Sequence, residues 1–237
     1  MNKQSNLNSI KTMARTFLYM DIHLTPYSPA VVLHPVFETG FTMTTVNGEP
    51  KLVNMLNDHC ALRTAQSAMR ARIDTQKTVR GVYDVIRKSY KLTFLKYVHD
   101  HLSLSDMSEL LADAWVNSEN PNQDVNVPIS LATDWFYQSD KSMLMHPDEL
   151  AFFQALPQTI TVYRGVAVGR TPDGLSWTCN LEKAKWFANR FNKEQETGYV
   201  LAATIDKSFA LAYFNRRGED EVVVDTSAIE HCIRRLD

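Results

Sequence analysis

The spacing of the apolar residues changes at Pro157, and the change divides the chain into a helical front and a strand-rich back. Upstream, Leu52, Met55 and Leu56, then Val79, Val82, Tyr83, Ile86 and Tyr90, recur at three- and four-residue intervals, as one buried helix face requires. Ser105 is placed to cap a helix with the stripe Met107, Leu110, Leu111, Ala114 and Trp115, and Asp106 and Glu109 suit its first turn. Asn120-Pro121 ends it. Two more helical stretches follow, one from Ser130 with Leu131, Trp135 and Phe136, the other from Pro147 with Leu150, Phe153 and Leu156. Downstream, residues 159–166, 199–205 and 221–226 are rich in Val, Ile, Thr and Tyr and predict strands. Among them stands one helix, with Asn180 at its cap and Leu181, Ala184, Phe187, Ala188 and Phe191 on its apolar face.

The first residues read differently. Pro26 and Pro29 stop any helix begun near Ile10, so residues 1–29 are expected to form an arm. Over residues 30–50, β-branched and aromatic residues suggest two short strands, the second spanning 41–46 before a turn at Asn47-Gly48. Helices are expected over 51–157. The fold class is therefore α+β, with a mainly helical region over 1–157 and a second region over 158–237.

With 237 residues, 44% of them apolar and 22% charged, the chain can bury a sizeable core. A net charge of −2 excludes the strong positive field of a nucleic-acid coat. Charge is nonetheless segregated: ten cations stand against four acids over 51–101, and one against nine over 102–157. Such blocks suit either a basic face for an anionic partner or two helical layers that attract each other. Cys60, Cys179 and Cys232 are scattered and odd in number, which points away from a disulfide framework or zinc cluster and toward a reducing, cytoplasmic setting. No apolar run approaches the roughly 18 residues of a spanning helix, so no membrane partner is expected.

Several catalytic patterns are missing. His99-Asp100-His101 has no further ligand to complete a metal set, and His231-Cys232 has no third partner for a nucleophilic triad. Neither a nucleophile elbow nor a Gly-Lys-Ser/Thr phosphate loop occurs. Three short pieces in the back region remain: Val162-Tyr163-Arg164-Gly165 on a strand, Leu175-Ser176-Trp177-Thr178 before the helix, and Glu219-Asp220-Glu221-Val222-Val223 entering the last strand. Singly they read as a surface arginine, a helix cap and a solvated turn.

In this order and on these elements, with Ala184 and Phe187-Ala188 on the intervening helix, they resemble the Arg-Ser-Glu class of mono-ADP-ribosyltransferases, of the small bacterial or bacteriophage type. The resemblance covers roughly residues 158–226. It implies a split-sheet ADP-ribosyltransferase core over 158–237, NAD as substrate, and no metal. By the same resemblance Glu221 stabilises the oxocarbenium-like ribose, Arg164 with Gly165 holds the dinucleotide, and Ser176 and Thr178 brace the pocket. Glu219 would mark members that modify arginine, which sets a protein acceptor ahead of nucleic acid. Asn215-Arg216-Arg217-Gly218 lies where the family recognises its acceptor, and Tyr213 or Phe214 would help to hold the target. Only the loop 169–174 takes the place of the usual helix and strand between Arg164 and Ser176, and Trp177 stands where a small residue is usual. Its indole suits core packing and a stacking wall equally. A binding module that keeps the fold without the chemistry, and an NAD glycohydrolase, are the alternatives. An effector in the cytoplasm, that of the host for a bacteriophage, is the setting the resemblance implies.

Overall fold

The computed structural model describes residues 3–46, 48–190, 192–193 and 196–236. It is a mixed helix and sheet structure with two compact units, Met1–Asp106 and Met107–Asp237. The division thus falls before the helices of residues 107–157, which belong to the same unit as the strands that follow them, and not at 157/158.

The first unit opens with α1 (Leu7–Leu18), capped by Asn6, with Ile10, Ala14, Phe17 and Leu18 buried. These positions recur on one helical face, so residues 7–18 are a packed helix and not an arm; Pro26 and Pro29 act only beyond its end. Two antiparallel hairpins follow, β1 (His23–Thr25) with β2 (Ser28–Leu33) and β3 (Phe41–Val46) with β4 (Glu49–Asn54). The helix expected from Lys51 is therefore a strand to Asn54. Leu52, counted above as part of a buried face, is 60% exposed on the hairpin, whereas Met55 is buried. Gly48 has φ 82°, as a tight turn asks of glycine, while its expected partner Asn47 lies outside the described residues. Three helices complete the unit: α2 (His59–Thr75), capped by Asp58, α3 (Val79–Tyr83) and α4 (Lys91–Val98). Val82, Tyr83 and Ile86 from the predicted stripe are buried.

Helix α5 (Leu104–Asn117) begins earlier than expected, because the Ser103 hydroxyl, not that of Ser105, accepts from the Asp106 N–H at 3.1 Å. In the second unit it is followed by α6 (Ile129–Gln138), α7 (Lys141–Leu144) and α8 (Pro147–Ala155). Then come β5 (Thr159–Val166), β6 (Ser176–Thr178), α9 (Leu181–Asn189), β7 (Tyr199–Asp206), β8 (Ala210–Phe214), β9 (Glu221–Val224), α10 (Thr226–Ile229) and β10 (Arg234–Leu236). The strands form one antiparallel sheet in the order β10-β7-β5-β6-β9-β8. Strand β8 was not expected, since all five of its residues are buried and it shows no polar alternation.

Two junctions position the site. Asn180 Oδ1 accepts from the N–H groups of Glu182 and Lys183, so α9 starts as its sequence indicates, although Phe191 from its expected stripe lies outside the described residues. Helix α9 lies so close to β5 that a Cβ on Gly165 would meet the Ala184 carbonyl oxygen at 2.1 Å. Only glycine fits there. Strands β5 and β6, in contrast, meet through a single residue pair, Tyr163 with Thr178.

Candidate active site

Arg164, Ser176 and Glu221, more than fifty residues apart at the extremes, line one cleft of the second unit. Sheet register explains their meeting. Thr178 pairs with Tyr163 on one side and with Glu221 on the other, so the last residue of β6 joins the strand of Arg164 to the start of β9. Gly165, Thr178, Glu219 and Arg217 line the same cleft, as do Arg170 and Arg190.

The Arg164 guanidinium is largely committed to the segment that leads from β5 into β6. It donates from Nε to the Pro172 carbonyl at 2.9 Å, from Nη2 to that of Asp173 at 3.1 Å and from Nη1 to that of Ser176 at 2.8 Å. A guanidinium has five N–H groups, so these bonds use three of them. Gly174 permits this clamp, because a Cβ there would lie 2.5 Å from Arg164 Nη2, and its φ of 156° belongs to glycine. Burial lowers the Arg164 pKa to about 10, against the pull of Glu221, Asp173 and Tyr199, and leaves it cationic at neutral pH.

Glu221 is held by neutral donors. Trp115 Nε1 on α5 donates to its Oε1 at 2.9 Å, and the Ser176 hydroxyl also favours its charged form. Burial pushes its carboxyl above the usual range; the bonds from Ser176 and Trp115 oppose that rise, Glu219 adds to it and Arg164 opposes it. Asn122, in the turn after α5, brackets Ser176. Its Oδ1 accepts from the Leu175 N–H at 2.6 Å and its Nδ2 donates to Ser176 Oγ at 2.9 Å, which frees the serine proton for the carboxylate. Neither Trp115 nor Asn122 was among the expected site residues. One signal was available: a tryptophan in a buried stripe has an N–H that needs a partner.

Trp177, between Ser176 and Thr178 on β6, is 3% exposed, and its indole donates to the Gly174 carbonyl at 3.0 Å. It is also among the residues that line the cleft, so the ring is well packed and stands beside the site. Thr178 Oγ1 accepts from the Asn180 N–H at 3.1 Å and links β6 to the cap of α9.

The Glu219–Glu221 segment is not extended throughout. Asp220 has φ 48°, a left-handed conformation uncommon outside glycine, and β9 starts only at Glu221. The turn holds Asp220 from three sides: Lys183 Nζ at 2.5 Å, the Tyr213 hydroxyl at 2.8 Å, and its own N–H on Asn215 Oδ1 at 3.1 Å. Burial raises the Asp220 carboxyl, but Lys183 and Tyr213 outweigh it and keep the group below its ordinary value. Tyr213 and Phe214, expected to meet the target, are instead buried in β8. Arg216 is likewise spent, on the buried carboxylate of Glu149. Arg217 alone of the pair lines the cleft, 3.1 Å from Glu219.

Among the described residues no group of three His, Cys, Asp or Glu side chains is placed to hold a metal ion, and no helix is long and apolar enough to cross a membrane. The three cysteines are free. No family model, curated protein or solved structure matches the chain.

Proposed function

We propose that the protein is a mono-ADP-ribosyltransferase that moves ADP-ribose from NAD to a macromolecular acceptor, with NAD as substrate and no metal in the reaction. The observation that carries this reading is the division of charge within one cleft, where Arg164, Arg170 and Arg190 stand with Glu219 and Glu221. NAD has the complementary division, a diphosphate at its centre and a positively charged nicotinamide ring at one end. Arg164 keeps N–H groups for phosphate beyond the three that hold the loop. The single residue pair between β5 and β6 accords with a split sheet.

The residues divide the work as follows. When the bond between ribose C1′ and nicotinamide breaks, its electron pair leaves on nicotinamide and the ribose gains oxocarbenium character. Glu221, held by the neutral donors Trp115 and Ser176 and not by an ion pair, is the carboxyl that in its ionised form would face that developing cation. Glu219 orients the acceptor and takes its proton, a role suited to a guanidinium. A protein acceptor fits the turn better than a nucleic acid, since Arg216 is not free to meet phosphates.

The test is nicotinamide release from NAD by the purified protein, followed by transfer of label from NAD to proteins of a lysate. Release without transfer describes a glycohydrolase. Neither release nor transfer leaves a binding module and ends the enzyme reading.

A further inference from the structure

The turn between β8 and β9 carries two adjacent arginines with opposite surroundings. Arg216 is built into the fold: its Nε and Nη2 each lie 3.3 Å from Glu149 Oε2, and Nη2 also donates to the Leu144 carbonyl at 2.9 Å. Its guanidinium stands 5.4 Å over the Phe214 ring. Arg217 turns to the cleft. Its Nη2 lies 3.1 Å from Glu219 Oε1, its Nη1 donates to the Val116 carbonyl at 2.9 Å, and its side chain is 36% exposed. A guanidinium thus already rests on the carboxylate assigned to the acceptor, in the cleft that Glu221 lines.

We propose that Arg217 is an internal acceptor: it occupies the place of an incoming arginine in the resting protein and is ADP-ribosylated there, within the same molecule, when NAD binds. The inference rests on the transferase reading of the cleft. In the step, the bond from ribose C1′ to the nicotinamide nitrogen breaks and its electron pair leaves with neutral nicotinamide. A new bond forms between C1′ and Nη2 of Arg217, the nitrogen that faces Glu219. The proton lost from Nη2 passes to Glu219 and then to water. NAD and protein give ADP-ribosyl-Arg217, nicotinamide and one proton, and nothing is oxidised or reduced. Glu219 matters because a guanidinium is a poor nucleophile until a base removes a proton. Proximity matters because an acceptor held by its own chain avoids the entropy cost of a second encounter.

The experiment incubates the full chain with NAD labelled in its adenylate half, follows nicotinamide release, and maps the label by mass spectrometry of peptides. The expected result is label on Arg217 and none on Arg216, at a rate per chain that does not change when the protein is diluted. Arg217→Lys keeps a positive charge opposite Glu219 and is expected to lose the label. Nicotinamide release with Arg217 unmodified overturns the proposal and leaves the transferase or glycohydrolase chemistry standing. A rate that falls on dilution overturns it too, because the acceptor would then lie on another molecule. Absence of nicotinamide release overturns both the proposal and the reading it rests on. The mapping on the unaltered protein decides the matter even if Arg217→Lys fails to fold.

Discussion

Glu149 and Glu221 are both withdrawn from water in the second unit, and they are treated in opposite ways. Glu149, 2% exposed on its side chain, is neutralised by Arg216 and accepts from the N–H groups of His146 and Asn215. Glu221 meets the indole of Trp115 and the hydroxyl of Ser176, neither of which carries charge. The first arrangement spends the charge on the fold, tying α8 to the turn after β8. The second leaves the carboxyl without an ion pair, and burial raises it, while the Trp115 and Ser176 bonds favour the charged form. A buried carboxylate with a full ion pair is an anchor, while one held by neutral donors is poised to act on a substrate cation.

The largest effect is expected from Glu149→Ala, which strands the Arg216 guanidinium in a largely buried place. Loss of one partner from such a pair costs about 3–5 kcal/mol of stability, to be read from urea unfolding. The correctly folded fraction should still release nicotinamide. If stability is unchanged and release collapses, the two carboxylates have been given each other's roles.

Glu221→Gln comes next. Nicotinamide release should fall by a hundredfold or more, roughly 2.7–4 kcal/mol on the barrier. Stability should move the other way. Because the folded pKa of Glu221 is raised, its contribution to stability is present below the unfolded pKa and is lost as pH rises through the folded one. Glutamine does not titrate, and its oxygen can still accept from Trp115. The variant's melting temperature relative to the unaltered protein should therefore increase across that window and level off once the pH has passed the folded pKa. A melting-temperature difference between variant and unaltered protein that falls as pH rises through that window would contradict the raised carboxyl.

Much of the active half of this comparison was readable in the sequence, because its residues lie on elements whose local patterns are strong. Residues 159–166 and the start of β9 are β-branched runs that could hardly be anything but strands, and Asn180 marks the start of α9 unaided. The anchoring half was not readable. Glu149 looked like one acid in a negative stretch, and nothing local pairs it with Arg216, 67 positions on. Trp115 fell correctly on the α5 stripe, but the destination of its N–H depends on a strand 106 positions away. Local spacing also misled at Leu52, where hairpin pairing with Met43 overrode a helical interval.

Trp115→Phe sharpens the comparison at smaller cost. Phenylalanine keeps an aromatic ring against Phe136, now 5.0 Å away edge to face, and removes only the donor to Glu221. The indole bond favours the charged form of Glu221, so its loss should push the carboxyl further up. The acid limb of the pH profile for nicotinamide release should move to higher pH, with a nearly unchanged rate well above it. An unmoved limb would reduce Trp115 to packing.

The smallest effect on NAD cleavage itself is expected from Glu219→Ala, and its sign is opposite to that of Trp115→Phe. Glu219 is a like charge that helps to raise the Glu221 carboxyl, so its removal should move the acid limb of nicotinamide release to lower pH. On the transferase reading, hydrolysis of NAD should survive, because the group proposed to face the ribose is intact. Transfer to arginine should fall strongly, since the acceptor guanidinium loses both its ion pair and its base. The Asp220 turn, held by Lys183 and Tyr213, keeps Glu221 in place when its neighbour is truncated. Measured side by side, release and transfer should therefore separate in this variant and fall together in Glu221→Gln. If Glu219→Ala lowers release as much as Glu221→Gln does, the division of labour between the two carboxylates is wrong; if transfer persists, the acceptor is not an arginine.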